Sequence, residues 1–87
     1  MEEALKKILK DKLAADVLRF FYQNQASIDT ARGISVWVHR TREEVIPVLE
    51  DLASLGVLEK DSTGRTNGYC YTHKKDIMDV VSRLLEG

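Results

Sequence analysis

The sequence predicts a single small α+β domain, mainly helical, in which a short two-stranded hairpin lies between helices. Three observations lead there. Apolar residues recur at three- and four-residue spacing from Leu5 to Phe21 and again from Ile77 to Leu85. Between these stretches, Thr41-x-x-Glu44 has the form of a helix-opening capping box, and Gly56 is placed to close the helix it opens. Two short apolar segments, around Val57-Leu58 and Tyr69-Cys70-Tyr71, then flank a polar, Gly-containing stretch, which is the pattern of a hairpin.

Size and charge narrow the class further. The chain has 87 residues, 44% hydrophobic and 31% charged, with 13 basic and 14 acidic side chains and a formal charge of -1. A chain this short buries only roughly 60–65% of its unfolded surface, so one core must do all the stabilising. One cysteine and two histidines supply neither an intrachain disulfide nor a four-ligand zinc site, which makes pairing with a second copy a natural source of further stability. No apolar run approaches the ~20 residues of a membrane-spanning helix, and Glu2 and Glu3 stand where a signal peptide is basic. A soluble, cytoplasmic protein with no membrane partner is expected, with Cys70 as a reduced thiol and no cofactor. Near-zero charge by itself does not point to nucleic acid.

Taken in order, Leu5, Ile8, Leu9, Leu13, Val17 and Phe20 or Phe21 predict helix from Glu2 to about Gln23, with a possible break near Asp11. Lys6, Lys7, Lys10 and Lys12 are balanced by acids over the first 29 residues and read as a solvated face. Thr30 can cap a second, short helix ending near Val38, with Ile34, Val36, Trp37 and Val38 as its apolar residues. After a break at His39-Arg40 the Thr41/Glu44 box starts a third helix, whose buried stripe is Val45, Leu49, Leu52 and Leu55. Pro47 lacks an amide hydrogen and crowds the preceding turn, which predicts a kink or a later start. Alternation in the second strand puts Tyr69 and Tyr71 on one face and Cys70 on the other. Thr72 can cap a last helix, about 73–86, with Ile77, Val80, Val81, Leu84 and Leu85 on one stripe.

From Thr30 to Thr72 this order resembles the winged helix-turn-helix of small transcriptional regulators of the ArsR and MarR type. Thr30 with Ile34-Ser35 is similar to the first helix of that motif, and His39 falls where its turn often has glycine. Thr41-Arg42-Glu43-Glu44-Val45 resembles the start of its recognition helix. Leu49-x-x-Leu52-x-x-Leu55-Gly56-Val57-Leu58 is similar to the exit into the wing, and Tyr69-Cys70-Tyr71-Thr72 to the return strand. The resemblance implies one winged-helix domain over 1–87, with the helix-turn-helix at about 30–55, the wing at 57–72 and a terminal helix. It also implies double-stranded DNA as partner.

A helix about 10–12 Å across fits the major groove, and a hairpin beside it reaches neighbouring phosphates or the minor groove. The candidate contacts are Arg32 on the second helix, Arg40 at the turn, and Thr41, Arg42, Glu43 and Ile46 on the third helix. Arg65, Thr66 and Asn67 at the wing tip complete the set. Arg42 can hold guanine O6/N7 or a phosphate, Glu43 can accept from cytosine N4, and Ile46 can meet a thymine methyl. Against this, Arg40 to Asp51 carries two basic and four acidic side chains, a net -2 on the segment that would face a polyanion. That charge, with Ile46 and Pro47 exposed together, supports the alternative of a winged-helix protein-interaction module with weak or no DNA binding.

Other chemistries find less support. Cys70-x-x-His73 with Asp76 or Asp79 lacks the ligand pairing of a metal sensor, and His73 reads as part of the last helix's first turn. No Gly-rich phosphate loop and no histidine spaced to a nucleophile are present, so an enzyme is not expected. Trp37 and the tyrosines are assigned to the interior by periodicity. The stripe Ile77, Val80, Val81, Leu84 and Leu85, with the first helix, is the candidate homodimer interface.

Overall fold

The chain is described here by a computed structural model covering residues 1–61 and 67–87. It opens with α1 (Glu2–Ile8) and α2 (Lys12–Gln23), separated at the expected place. Asp11 takes an extended conformation there (ψ 125°) and interrupts the helical path. One face of α2 carries Leu13, Val17, Leu18, Phe20 and Phe21 into the core, while Lys12 and Arg19 remain exposed.

Next come β1 (Ile28–Thr30), α3 (Ala31–Val38) and α4 (Arg42–Ser54). Thr30 caps α3, its hydroxyl accepting from the amide of Gly33 at 3.1 Å. His39 then turns the chain in the left-handed conformation (φ 58°), the geometry that explains why glycine is common at such turns. Thr41 and Glu44 form the full reciprocal box at the start of α4. The helix runs unbroken through Pro47, so the later start does not occur. Pro47 leaves the Glu43 carbonyl without its helical donor, and both residues are exposed.

Gly56 ends α4 at φ +81°, where any side chain would be strained and a Cβ would stand 3.2 Å from Ile77 Cδ1. The hairpin follows as β2 (Leu58–Asp61) and β3 (Gly68–Tyr71), and α5 (Lys75–Glu86) completes the chain. Leu58 pairs with Tyr71 and Lys60 with Tyr69. Tyr69 and Tyr71 face the core and Cys70 is half-buried on the other face, as alternation requires.

Four expectations are corrected. The sheet has three strands in the order β1-β3-β2, because Ile28–Thr30 pairs antiparallel with β3; a three-residue strand containing Asp29 leaves no periodic signal. Thr72 does not cap α5. Its hydroxyl accepts from the Lys74 amide at 3.1 Å and its own amide donates to the Val57 carbonyl at 3.0 Å, so it turns the chain while α5 starts at Lys75 without a side-chain cap. His73 accordingly lies ahead of the helix, its amide donating to Glu59 Oε2 at 3.0 Å. Trp37 is 65% exposed, where the interior was expected, and its neighbour Val36 is 70% exposed. At 100° per residue Val36 lies opposite Ile34, the one fully buried side chain of α3, and Trp37 sits at the flank with its ring against Phe20, centroids 5.2 Å apart.

The core is continuous. Leu5, Val17, Leu18, Phe21, Ile34, Val45, Leu49, Leu52, Val57 and Val81 are all fully buried, so every helix contributes at least one anchor. Leu52→Ala should lower unfolding free energy by roughly 2–5 kcal/mol in urea titration, since it opens a cavity where α4 meets the centre. A change below about 1 kcal/mol would show that this centre is loosely packed.

Candidate nucleic-acid interface

The box fixes where α4 begins, and the burial of its core stripe sets its rotation and hence which side chains look outward. With Val45, Leu49 and Leu52 buried, Arg42, Ile46 and Glu50 fall at i, i+4 and i+8 on one outward stripe. That stripe forms one wall of a concavity of about 710 Å³. The opposite walls are Thr30, Ala31 and Arg32 at the start of α3, and Lys60, Asn67 and Tyr69 from the hairpin. Elements distant in sequence therefore meet here.

Of the residues predicted from sequence, Arg32, Arg42, Ile46 and Asn67 converge on this concavity. Arg32 and Arg42 are exposed and hold no ion pair among the described residues. Arg40 and Thr41 are engaged elsewhere. Arg40 Nε donates to Glu44 Oε2 at 3.0 Å, while the Thr41 amide and hydroxyl donate to Glu44 Oε1 at 3.1 and 3.0 Å. Glu43 is exposed on α4 but does not line the concavity. Arg65 and Thr66 lie outside the described residues.

Lys60 and Tyr69 were not among the predicted contacts, and they change the electrostatics. Lys60 Nζ donates to Glu50 Oε1 at 2.7 Å, and the Tyr69 hydroxyl donates to Glu50 Oε2. The Lys60 ammonium and then the Tyr69 hydroxyl hold the Glu50 carboxyl below its ordinary range. Burial, followed by the bond to Glu50, pushes Tyr69 up to about 12, so at neutral pH this phenol remains the donor. Three basic side chains and one acid line the concavity, a local charge of +2 on a chain of net -1. The count over 40–51 misleads because Glu44 is used at the helix start and Glu50 is paired. Lys60 could have been assigned from its pairing with Tyr69, but the turn dipeptide the sequence offers, Asn67-Gly68, runs into β3 itself, so the register is not readable from it.

Among the described residues, no group of His, Cys, Asp and Glu is arranged to hold a metal ion, and no helix is long and apolar enough to cross a membrane. Burial, then the Glu59 and Asp61 carboxylates, pushes the Cys70 thiol up, which disfavours the thiolate. On α5, Val81 is buried within the single chain, and Ile77, Val80, Leu84 and Leu85 pack partly buried against the same core.

No protein-family model matches this chain, and no curated protein does. Among solved structures it is similar to an ArsR-like transcriptional regulator from Rhodococcus sp. RHA1, with a TM-score of 0.73 and 18% sequence identity. The match covers 98% of this chain and 76% of that one. The architecture is a winged helix-turn-helix, with α3 and α4 as the helix pair and β2-β3 as the wing.

The helix start is also a titration site. Arg40, then the Thr41 amide and hydroxyl, lowers the Glu44 carboxyl from 4.5 to about 2. Its folded value lies below its unfolded one, so its contribution is complete above pH ~5 and is lost as pH falls toward 2. Glu44→Gln should therefore flatten the acid side of a melting-temperature profile over that window, and an unchanged slope would mean that the box does not persist in solution.

Proposed function

We propose that this protein binds double-stranded DNA as a small transcriptional regulator, with α4 in the major groove and the wing on adjacent backbone or the minor groove. The observation that carries the reading is the convergence of Arg32 and Arg42, both without acidic partners among the described residues, on one concavity between the helix pair and the wing. Two guanidinium groups on adjoining helices suit successive phosphates or one phosphate and a guanine edge. Ile46 lines the same concavity and is exposed, an apolar group that can meet a thymine methyl. The fold shared with an ArsR-like transcriptional regulator agrees with this role.

Titration against mixed duplexes at roughly 50 mM salt should give binding tighter than about 10⁻⁴ M, with a slope of log K on log salt near -0.9 per phosphate held. Arg42→Ala should weaken binding and reduce that slope by about 0.9, while Lys12→Ala, on α2, should change neither. Equal effects from the two variants would remove α4 as the reader.

A second reading, a protein-interaction module, is favoured by Val36 and Trp37, which are exposed beside one another on α3. It would be preferred if no duplex binding is found.

The regulator is proposed to act in the cytoplasm as a homodimer joined through α1 and α5, which doubles the cations offered to DNA. Val80 is the test position, because it is only partly buried, whereas Val81→Asp would unfold the chain. Sedimentation should give about twice 9.9 kDa for the wild type and 9.9 kDa for Val80→Asp. A wild type already at 9.9 kDa would exclude the dimer.

A further inference from the structure

We infer that Glu50 is a built-in brake on DNA binding: it withholds the Lys60 ammonium from phosphate and keeps a carboxylate in the concavity, so the charge the site presents is smaller than the charge it contains. The inference rests on the DNA reading and deepens it. Both oxygens of Glu50 are taken by the hairpin, one by Lys60 Nζ at 2.7 Å and the other by the Tyr69 hydroxyl. These two donors come from a directly opposed cross-strand pair, Lys60 and Tyr69, so β2 and β3 grip the carboxylate together. Arg42 and Arg32, on the other walls of the same concavity, have no such acid among the described residues.

The two donors have different roles. Lys60 is half-exposed in its pair with Glu50 and can exchange a carboxylate oxygen for a phosphate oxygen with little movement. Tyr69 is 6% exposed and stays protonated at neutral pH, so its bond holds the carboxylate in place after Lys60 has left. A phosphate that captures Lys60 therefore gains one cation and meets one uncompensated, fixed anion. The exchange is close to neutral in charge, and it suppresses indiscriminate attraction to the backbone while leaving base contacts through Arg42 untouched.

Glu50→Gln tests this cleanly, since the amide oxygen still accepts from Tyr69 while the charge is gone. With mixed-sequence duplex as probe, Glu50→Gln should bind about tenfold tighter at roughly 50 mM salt, with a slope steeper by about 0.9 for the added phosphate contact. Lys60→Met in the wild-type background should leave the salt slope unchanged, because Lys60 holds no phosphate there even though the carboxylate it uncovers weakens binding, and the double variant should lose the gain. A Glu50→Gln protein that binds no tighter than wild type, or a gain that survives in the double variant, overturns the brake. So does a Lys60→Met variant whose salt slope falls by about 0.9 as that of Arg42→Ala does, which is readable even if Glu50→Gln fails to fold. Where Arg42→Ala weakens binding, these results judge the brake alone; if neither wild type nor Glu50→Gln binds duplex, both readings fall. Binding by Glu50→Gln where the wild type shows none would support the brake in its strongest form.

Discussion

The reciprocal bonding of Thr41 and Glu44 determines where α4 begins, and the packing of its core stripe determines which side chains it turns outward. A helix that began one residue later would still run through Pro47, but its buried and exposed stripes are tied to the packing of Val45, Leu49 and Leu52. The box, the core stripe and the outward stripe Arg42-Ile46-Glu50 are mutually consistent along the 13 residues of α4. Arg40 strengthens the arrangement by holding the far oxygen of Glu44. A cation at the turn is thereby committed to structure and withdrawn from recognition.

Charge along the sequence and charge at the surface differ for an identifiable reason. Glu44 points back to its own helix start, Asp51 and Glu43 lie off the concavity, and Glu50 is neutralised from the hairpin. A segment that reads as net -2 thus contributes a wall with Arg42 at its head and a paired carboxylate at its foot. Long-range fields are set by the whole distribution, but contact within a few ångströms depends on which groups remain unpaired. This fold converts an unfavourable sequence count into a locally positive surface.

Much of the fold was legible because its signals are local. Capping by Thr30 and Thr41, the stop at Gly56, the interruption near Asp11 and the alternation of Tyr69 and Tyr71 each depend on residues within a turn or two of one another. What sequence could not supply was long-range or too short to be periodic. The strand Ile28–Thr30 exists only because β3 offers it a partner. Trp37 reads as core on periodicity, yet α3 spans only about two turns and commits only Ile34 fully to the interior. Four of the residues lining the concavity, Arg32, Arg42, Ile46 and Asn67, are singled out by the sequence. Two more, Lys60 and Tyr69, required the hairpin register that brings both against Glu50.

The Lys60–Glu50–Tyr69 arrangement also bears on how so small a domain keeps its wing oriented. Apolar contact through Leu58 and Tyr71 anchors the hairpin near its root, but such contact is non-directional and tolerates sliding. A carboxylate bridged by two donors from opposed strands fixes the angle between α4 and the sheet, and hydrogen bonds of this charge-assisted kind are both stronger and more directional. The acid proposed to limit attraction to a polyanion is therefore also one that ties α4 to the hairpin across the concavity. Removing the side chain altogether would confound these effects, whereas neutralising it in place separates geometry from charge.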